Sequence, residues 1–374
     1  MNVKQWYESY QHKDINITPY LWRMHDVLDS AVMAIDDKYL SPEKNNRDVK
    51  CHKIYKVWSN FSHTFNFKSA KKRIVISLSG GVDSMSLLYT IKNWKSNVGS
   101  DIDIIALHIN FNNRKESFLE ALYLQHWCKM IDVPIYINEI TDYKRDNTPR
   151  QEYEKMTRDL RFELYNQLMD GYEGGVVLGH IKEDIEENFL RNVLTHVNTF
   201  KVLGMEQRSK ISGVDVLRPF LNTSKDDIYN FAKKFHIPYF ADTTPDWSVR
   251  GRFRKKLRPT MQDIFGKKIG DSFIDFGCIL HDLGEWFSKN YIKSYRNIII
   301  YNHDTIELPY EREVPDIFWM IVVEEAMYNK NKGKPSHKVM KEIIKIIQNR
   351  QQRQIVISKG ITGEFKNDIF FIRF

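Results

Sequence analysis

Residues 73–84 read Arg73-Ile-Val-Ile-Ser-Leu-Ser79-Gly80-Gly81-Val82-Asp83-Ser84. An apolar run ends in a polar turn with paired glycines, and an amphipathic stretch begins at about Met85. That order predicts a buried strand, a tight loop and a helix. Two glycines let the backbone turn sharply and approach a ligand closely. Unpaired N–H groups at the start of the helix, together with its dipole, favour an anion such as phosphate. Ser79 and Ser84 add hydroxyl donors. Asp83 would repel phosphate unless a cation lies between them, which points to bound Mg²⁺. A plain strand-to-helix turn capped by aspartate is the simpler alternative, but the whole string behind a buried strand favours the anion site. No Gly-Lys-Ser/Thr follows, so this is not a Walker A loop, and the GxGxxG dinucleotide fingerprint is absent.

Outward from the loop, short apolar runs alternate with longer amphipathic ones. Arg73–Leu78, Ile102–Ile109, Val133–Ile140 and Val176–Leu178 read as strands. Met85–Trp94, Lys115–Met130, Gln151–Met169 and Asp184–Leu194 read as helices. The alternation predicts an α/β fold, a doubly wound and mostly parallel sheet with helices on both faces. Ligands in such sheets bind at the carboxyl ends of the strands. The expected domains are residues 1–70, a helical extension including Leu21–Ile35; residues 71–265, the sheet domain; and residues 266–374, a small α+β domain. In the last, Ile317–Tyr328 and Lys338–Ile347 read as helices, and Ile355–Lys359 and Ile369–Phe374 as hairpin strands.

Further motifs follow the strands. The second strand ends His108-Ile109-Asn110-Phe111-Asn112-Asn113-Arg114. Glu154, Arg158 and Arg161 share one helix face by their spacing. The fourth strand runs into Gly179-His180, then Glu183-Asp184 and Glu187-Asn188. Asp184 and Glu187 stand one turn apart, so their carboxylates can hold an ammonium group or a metal ion together. Leu203-Gly204-Met205 and Leu217-Arg218-Pro219 come next, and Ser224 with Asp227 reads as a capped helix start. Asp242, Pro245 and Asp246 precede a cluster in which six of the nine residues Arg250–Arg258 are basic. A solvated basic patch is the plain reading of that cluster; contact with phosphates is the functional one.

Taken together, these motifs resemble the PP-loop (N-type) ATP pyrophosphatase superfamily, the adenine nucleotide alpha hydrolase-like fold, and within it most closely the tRNA(Ile)-lysidine synthetases. The resemblance implies ATP and Mg²⁺ as cofactors. It implies ATP contacts at Ser79, Gly80, Gly81, Val82, Asp83, Ser84, His108, Ile109, Asn110 and Gly179, with Asp83 holding Mg²⁺. Catalytic roles would fall to Asp83, His180, Arg158, Arg250 and Arg254, and Asp184 with Glu187 would bind the amine of free lysine. The implied partner of the small domain is tRNA. Phe111, Glu183, Pro245 and Gly251 depart from the family pattern, which keeps an inactive tRNA-binding relative in view. A tRNA thiolase is a further alternative; an amidating synthetase would need a glutaminase motif that is not seen.

Composition sets the remaining bounds. A formal charge of +8 suits a polyanionic partner. Cys51, Cys128 and Cys278 are too few and too scattered for a disulfide framework or a CxxC site. The first residues lack the apolar core of a signal peptide, and no run approaches the roughly 18 apolar residues of a membrane span. The expectation is a cytoplasmic protein with no membrane contact; assembly as a homodimer is left open.

Overall fold

The computed structural model describes residues 48–65, 71–112, 116–140, 148–195, 199–240 and 248–374. The helix expected at Leu21–Ile35 and the motif residues Arg114, Asp242, Pro245 and Asp246 lie outside them. The chain divides into two compact units, one of residues up to Glu187 with Met205–Gly266, the other of Asn188–Gly204 with Lys267–Phe374. Residues 188–204, placed with the sheet domain from sequence, thus belong to the second unit.

Among the described residues the first unit has helix α1 (Lys53–Ser62) and then alternates: β1 (Lys72–Ser77), α2 (Val82–Val98), β2 (Asp103–Asn110), α3 (Glu116–Met130), β3 (Ile135–Glu139), α4 (Arg150–Met169), β4 (Glu173–Val177) and the start of α5 (Lys182–Leu194). A hairpin, β5 (Arg208–Ile211) and β6 (Val214–Leu217), and α6 (Lys225–Lys234) follow. The strand order is β3-β2-β1-β4-β6-β5, parallel throughout except that β5 runs antiparallel to β6. The hairpin was not foreseen. Its strands are four residues each, its first strand is polar, and its turn rests on Ser212 and Gly213, both at positive φ.

Alternate residues of β1 face opposite layers, as pleating requires. Ile74, Ile76 and Leu78 pack with Met85, Leu88 and Ile91 of α2 and with Ile54 and Trp58 of α1. Val75 packs on the other side with Leu107, Val176, Leu164 and Tyr165. Both faces of β1 are therefore covered, which is why Ile74–Ile76 is apolar without interruption. The connections reverse direction between β1 and β4. In sheets of this kind ligands bind at such a switch point, at the carboxyl ends of the strands.

The unit ends with α7 (Val249–Arg252), a π-helical turn (Phe253–Leu257) and α8 (Arg258–Phe265), a continuous helix where the sequence had shown only a basic cluster. The second unit holds α9 (Ile269–Phe287), a π-turn (Ser288–Ile292), α10 (Lys293–Arg296), β7 (Ile300–Tyr301), β8 (Thr305–Pro309), α11 (Asp316–Asn329), α12 (His337–Gln348), β9 (Gln354–Ser358), β10 (Ile361–Lys366) and β11 (Ile369–Arg373). Its antiparallel sheet, in order β7-β8-β11-β10-β9, buries Ile306, Phe370 and Ile372 against Trp319 of α11 and Ile343 and Ile347 of α12. Among the described residues no helix is long and apolar enough to cross a membrane.

Within this unit α9 buries Gly270, Gly277 and Gly284 along one face. A Cβ at Gly284 would overlap Cβ of Phe200, the immovable root of that side chain, whereas one at Gly277 would meet the mobile end of Leu203. Alanine in a helix interior ordinarily gains about 1 kcal/mol over glycine, but overpacking costs about 1–3 kcal/mol. Gly284→Ala is expected to lower the thermal midpoint of unfolding, and Gly277→Ala to lower it less. A rise in both midpoints would contradict this packing.

Candidate functional site

The loop after β1 is knitted by its own serines. Ser84 Oγ accepts the Ser79 amide at 3.2 Å, lies 3.1 Å from Ser79 Oγ and donates to the Gly81 carbonyl at 3.0 Å. Gly80 sits at φ +81°, and a side chain there would overlap the Phe240 ring. Its carbonyl accepts the Phe240 amide at 2.9 Å. Gly81 stands at the N-cap of α2 without any side-chain cap, so the amides of the first turn are left for a ligand. Val82 contributes only backbone to this site, because its side chain is in the core.

The second strand supports the loop from beside it. His108 is buried, and its Nδ1 lies 2.8 Å from the carbonyl of Leu78. Burial pushes its pKa down, so Nδ1 carries the proton and donates. Ile109 turns its side chain into the opposite core layer. Asn110 Oδ1 accepts the Asn112 amide at 2.9 Å, holding Asn112 at φ +48°. Gly179, after β4, has a packing reason of its own: a Cβ would come within 3.0 Å of the Ser84 amide nitrogen. Glycine lets the loop and the end of β4 touch without either backbone shifting.

His180 follows. Arg218 Nε donates to its Nδ1 at 3.2 Å, and Arg218 is itself held by the Glu206 carbonyl and Ser209 Oγ, both at 2.8 Å. Burial, with Arg218, Arg250 and Arg161 nearby, outweighs Asp184 and lowers the His180 pKa to about 4. The ring is therefore neutral near pH 7, with the proton on Nε2.

Carboxylates from the start of α5 meet arginines from the Val249–Phe265 helix. Arg250 Nε donates to Glu187 Oε1, Arg254 Nη2 to Asp184 Oδ1 and Arg258 Nε to Glu186 Oε2, each at 2.8 Å. Arg258 also lies 3.5 Å from Glu183. The arginines are spaced four residues apart, and the π-turn keeps them in line, since its wider turn nearly matches that spacing. Asp184 Oδ2 also accepts the Ile181 amide at 2.9 Å. Glu187 is 8% exposed, yet its Oε2 has no hydrogen-bonded donor; Arg254 Nε stands 3.5 Å away. A buried carboxylate oxygen without a donor is costly unless a ligand supplies one.

Asp83 completes the site. Lys225 Nζ donates to both of its oxygens, at 2.9 and 2.7 Å. Burial pushes the Asp83 carboxyl up, and the Lys225 ammonium offsets this; Asp184 and Arg254 are close enough to act on it as well. Loop, His180, both carboxylates and both arginines thus share one electrostatic neighbourhood. Arg158 stands apart: it is exposed, its guanidinium 5.8 Å from the Phe162 ring. Arg161, one turn on, is the arginine of that helix that bears on His180. Lys225, Glu186 and Arg258 had no assigned role from sequence, because their partners are 142 and 72 residues away along the chain. Among the described residues no group of three or more His, Cys, Asp or Glu could hold a metal ion. Asp83 alone fits Mg²⁺ only if phosphate oxygens complete its shell, which is the usual way this ion binds.

The depressed His180 pKa fixes a pH dependence. Between about pH 6.5 and 4 the unfolded chain binds a proton at this ring that the folded protein does not, so stability falls as pH falls through that window. From pH 7.5 to pH 5 the loss is about 2 kcal/mol. Urea unfolding of His180→Gln should lose less stability than the parent over this interval by about that amount; equal losses would show that His180 is not held neutral.

A model of the PP-loop domain family matches residues 51–261, which include every site residue above. The tRNA(Ile)-lysidine synthase of Chlamydia muridarum (strain MoPn / Nigg) is 30% identical over 210 residues, 55% of this chain and 62% of that protein. That of Chlamydia trachomatis serovar D is 28% identical over 228 residues, 60% of this chain and 68% of that one. That of Staphylococcus aureus (strain MRSA252) is 29% identical over 194 residues, 51% of this chain and 44% of the relative. The matched segment thus leaves more than a third of the Chlamydia muridarum protein uncovered. Over half of its length, on a loop and strand ends built as above, this chain belongs to the PP-loop domain family.

Proposed function

We propose that this chain is an ATP-dependent tRNA-modifying ligase. It adenylates a cytidine base of an isoleucine tRNA and then joins lysine to the same base. The observation that carries the reading is Glu187 Oε2, a buried acceptor without a donor, in one electrostatic neighbourhood with a phosphate-binding loop. It suits an ammonium group brought beside an activated centre. The relatives named tRNA(Ile)-lysidine synthase support the same reading.

In the first step the cytosine carbonyl oxygen attacks the α-phosphorus of ATP, and pyrophosphate leaves. In the second the lysine amine attacks the base carbon bearing that oxygen, loses a proton, and AMP leaves. The Ser79–Ser84 loop and the N-terminus of α2 hold the pyrophosphate end. Asp83 would hold Mg²⁺ there, and the ion would neutralise phosphate charge. Asp184 and Glu187 hold the amine. In the protein alone, Arg250 and Arg254 occupy these carboxylates. An arriving polyanion of phosphates attracts the arginines and frees the carboxylates for the amine. His180 is an uncharged donor from Nε2, fixed by Arg218. Positioning and charge stabilisation carry the chemistry.

A thiolase reading is less well supported. Cys128 is buried, with its thiol pushed up to about 12. A thiolate nucleophile needs the opposite environment.

The test is pyrophosphate release and ¹⁴C-lysine incorporation with total tRNA, each component omitted in turn. Release should require tRNA and vanish in Asp83→Ala. Glu187→Gln should raise the KM for lysine by about tenfold or more while leaving that for ATP within about twofold, the loss of one charge-assisted bond. Binding of tRNA without pyrophosphate release under any combination would establish an inactive relative instead.

A further inference from the structure

Lys225 is held from two sides. Its amide donates to both oxygens of Glu183, at 2.9 and 3.1 Å, and Ser224 caps the helix it opens. Its ammonium crosses to Asp83. The placement works against the helix, because a cation in the first turn of α6 opposes the dipole. Asp83 stands in the first turn of α2, where the dipole favours an anion, but it caps nothing, since Gly81 holds the N-cap.

Two cations on one carboxylate repel each other, and both oxygens of Asp83 already accept from Lys225. A divalent ion arriving with polyphosphate at Asp83 competes with the ammonium there and drives it away. The displaced group remains tethered by the amide bonds to Glu183, within a side-chain length of the loop. The nearest compensating charge is then the polyphosphate. The ammonium also faces the ring of Tyr229, whose centroid is 5.3 Å away.

We propose that Lys225 is an exchanging counter-ion: it neutralises Asp83 in the protein alone, cedes it to the metal ion that accompanies ATP, and then binds the leaving pyrophosphate. The assignment rests on the proposed ATP cleavage and adds a residue to it. Positive charge is thereby delivered where negative charge grows during departure, at no cost in reorganising solvent.

The test is direct binding of inorganic pyrophosphate to the full chain by calorimetry, with and without Mg²⁺, needing neither ATP nor RNA. Lys225→Met should weaken binding of Mg²⁺-pyrophosphate by about tenfold or more, and Lys225→Arg should retain most of it. Asp83→Asn should bind metal-free pyrophosphate more tightly than the parent, because it removes a repelling charge and releases Lys225. Adding Lys225→Met to Asp83→Asn should abolish that gain. A Lys225→Met protein that unfolds at lower temperature but binds Mg²⁺-pyrophosphate as the parent does would reduce the residue to a structural ion pair and overturn the inference alone. Absence of pyrophosphate binding by the parent itself would overturn both the inference and the phosphate role of the loop.

Discussion

Asp184, Glu186 and Glu187 are buried within the first two turns of α5, with Glu183 beside them. Like charges at that spacing repel, and each loses its water. They are tolerable only because Arg250, Arg254 and Arg258 arrive in matching order from a second helix. The remainder of the site depends on that match. It fixes the Val249–Phe265 helix against the start of α5, brings Arg250 and Arg254 to bear on His180 and Asp83, and leaves one carboxylate oxygen of Glu187 without a hydrogen-bonded donor. Pairs of this kind are balanced between desolvation and attraction. A polyanion that competes for the arginines can therefore reset them, which makes the arrangement suitable for a site that must change partners.

The sheet was legible because its rules are local. Uninterrupted apolar runs such as Ile74–Ile76 can be only buried strands when glycine and a helix follow, and the spacing of the alternation implies parallel pairing. The hairpin at Arg208–Leu217 was not legible, because short strands carrying Arg208 and Lys210 have no apolar period to read. Nor was the membership of residues 188–204. Phe189 stacks on Phe273 and Phe200 meets Gly284, contacts that depend on a helix whose glycine face has no signature of its own.

For the site, sequence offered residue types but not their pairings. Asp184, Glu187, Arg250 and Arg254 stand out as charges, yet nothing local states that they neutralise one another across some 63 to 70 residues. The π-turn that lines up the arginines has no sequence mark either. Gly179 and Ile109 illustrate the converse: both were singled out as ligand contacts, while their geometry gives each a packing role, the one against Ser84 and the other within the sheet's second core layer. Lys225 carried one faint signal, a cation at a helix start where the dipole disfavours it.

The central claim is that the base of the RNA, and not the amino acid, is activated by ATP. Its most direct measurement is the fate of label from [α-³²P]ATP with tRNA present and lysine withheld. The account predicts that label accumulates covalently on the tRNA and is discharged as AMP when lysine is added. Label appearing on lysine, or in ADP, with none on the RNA would contradict it.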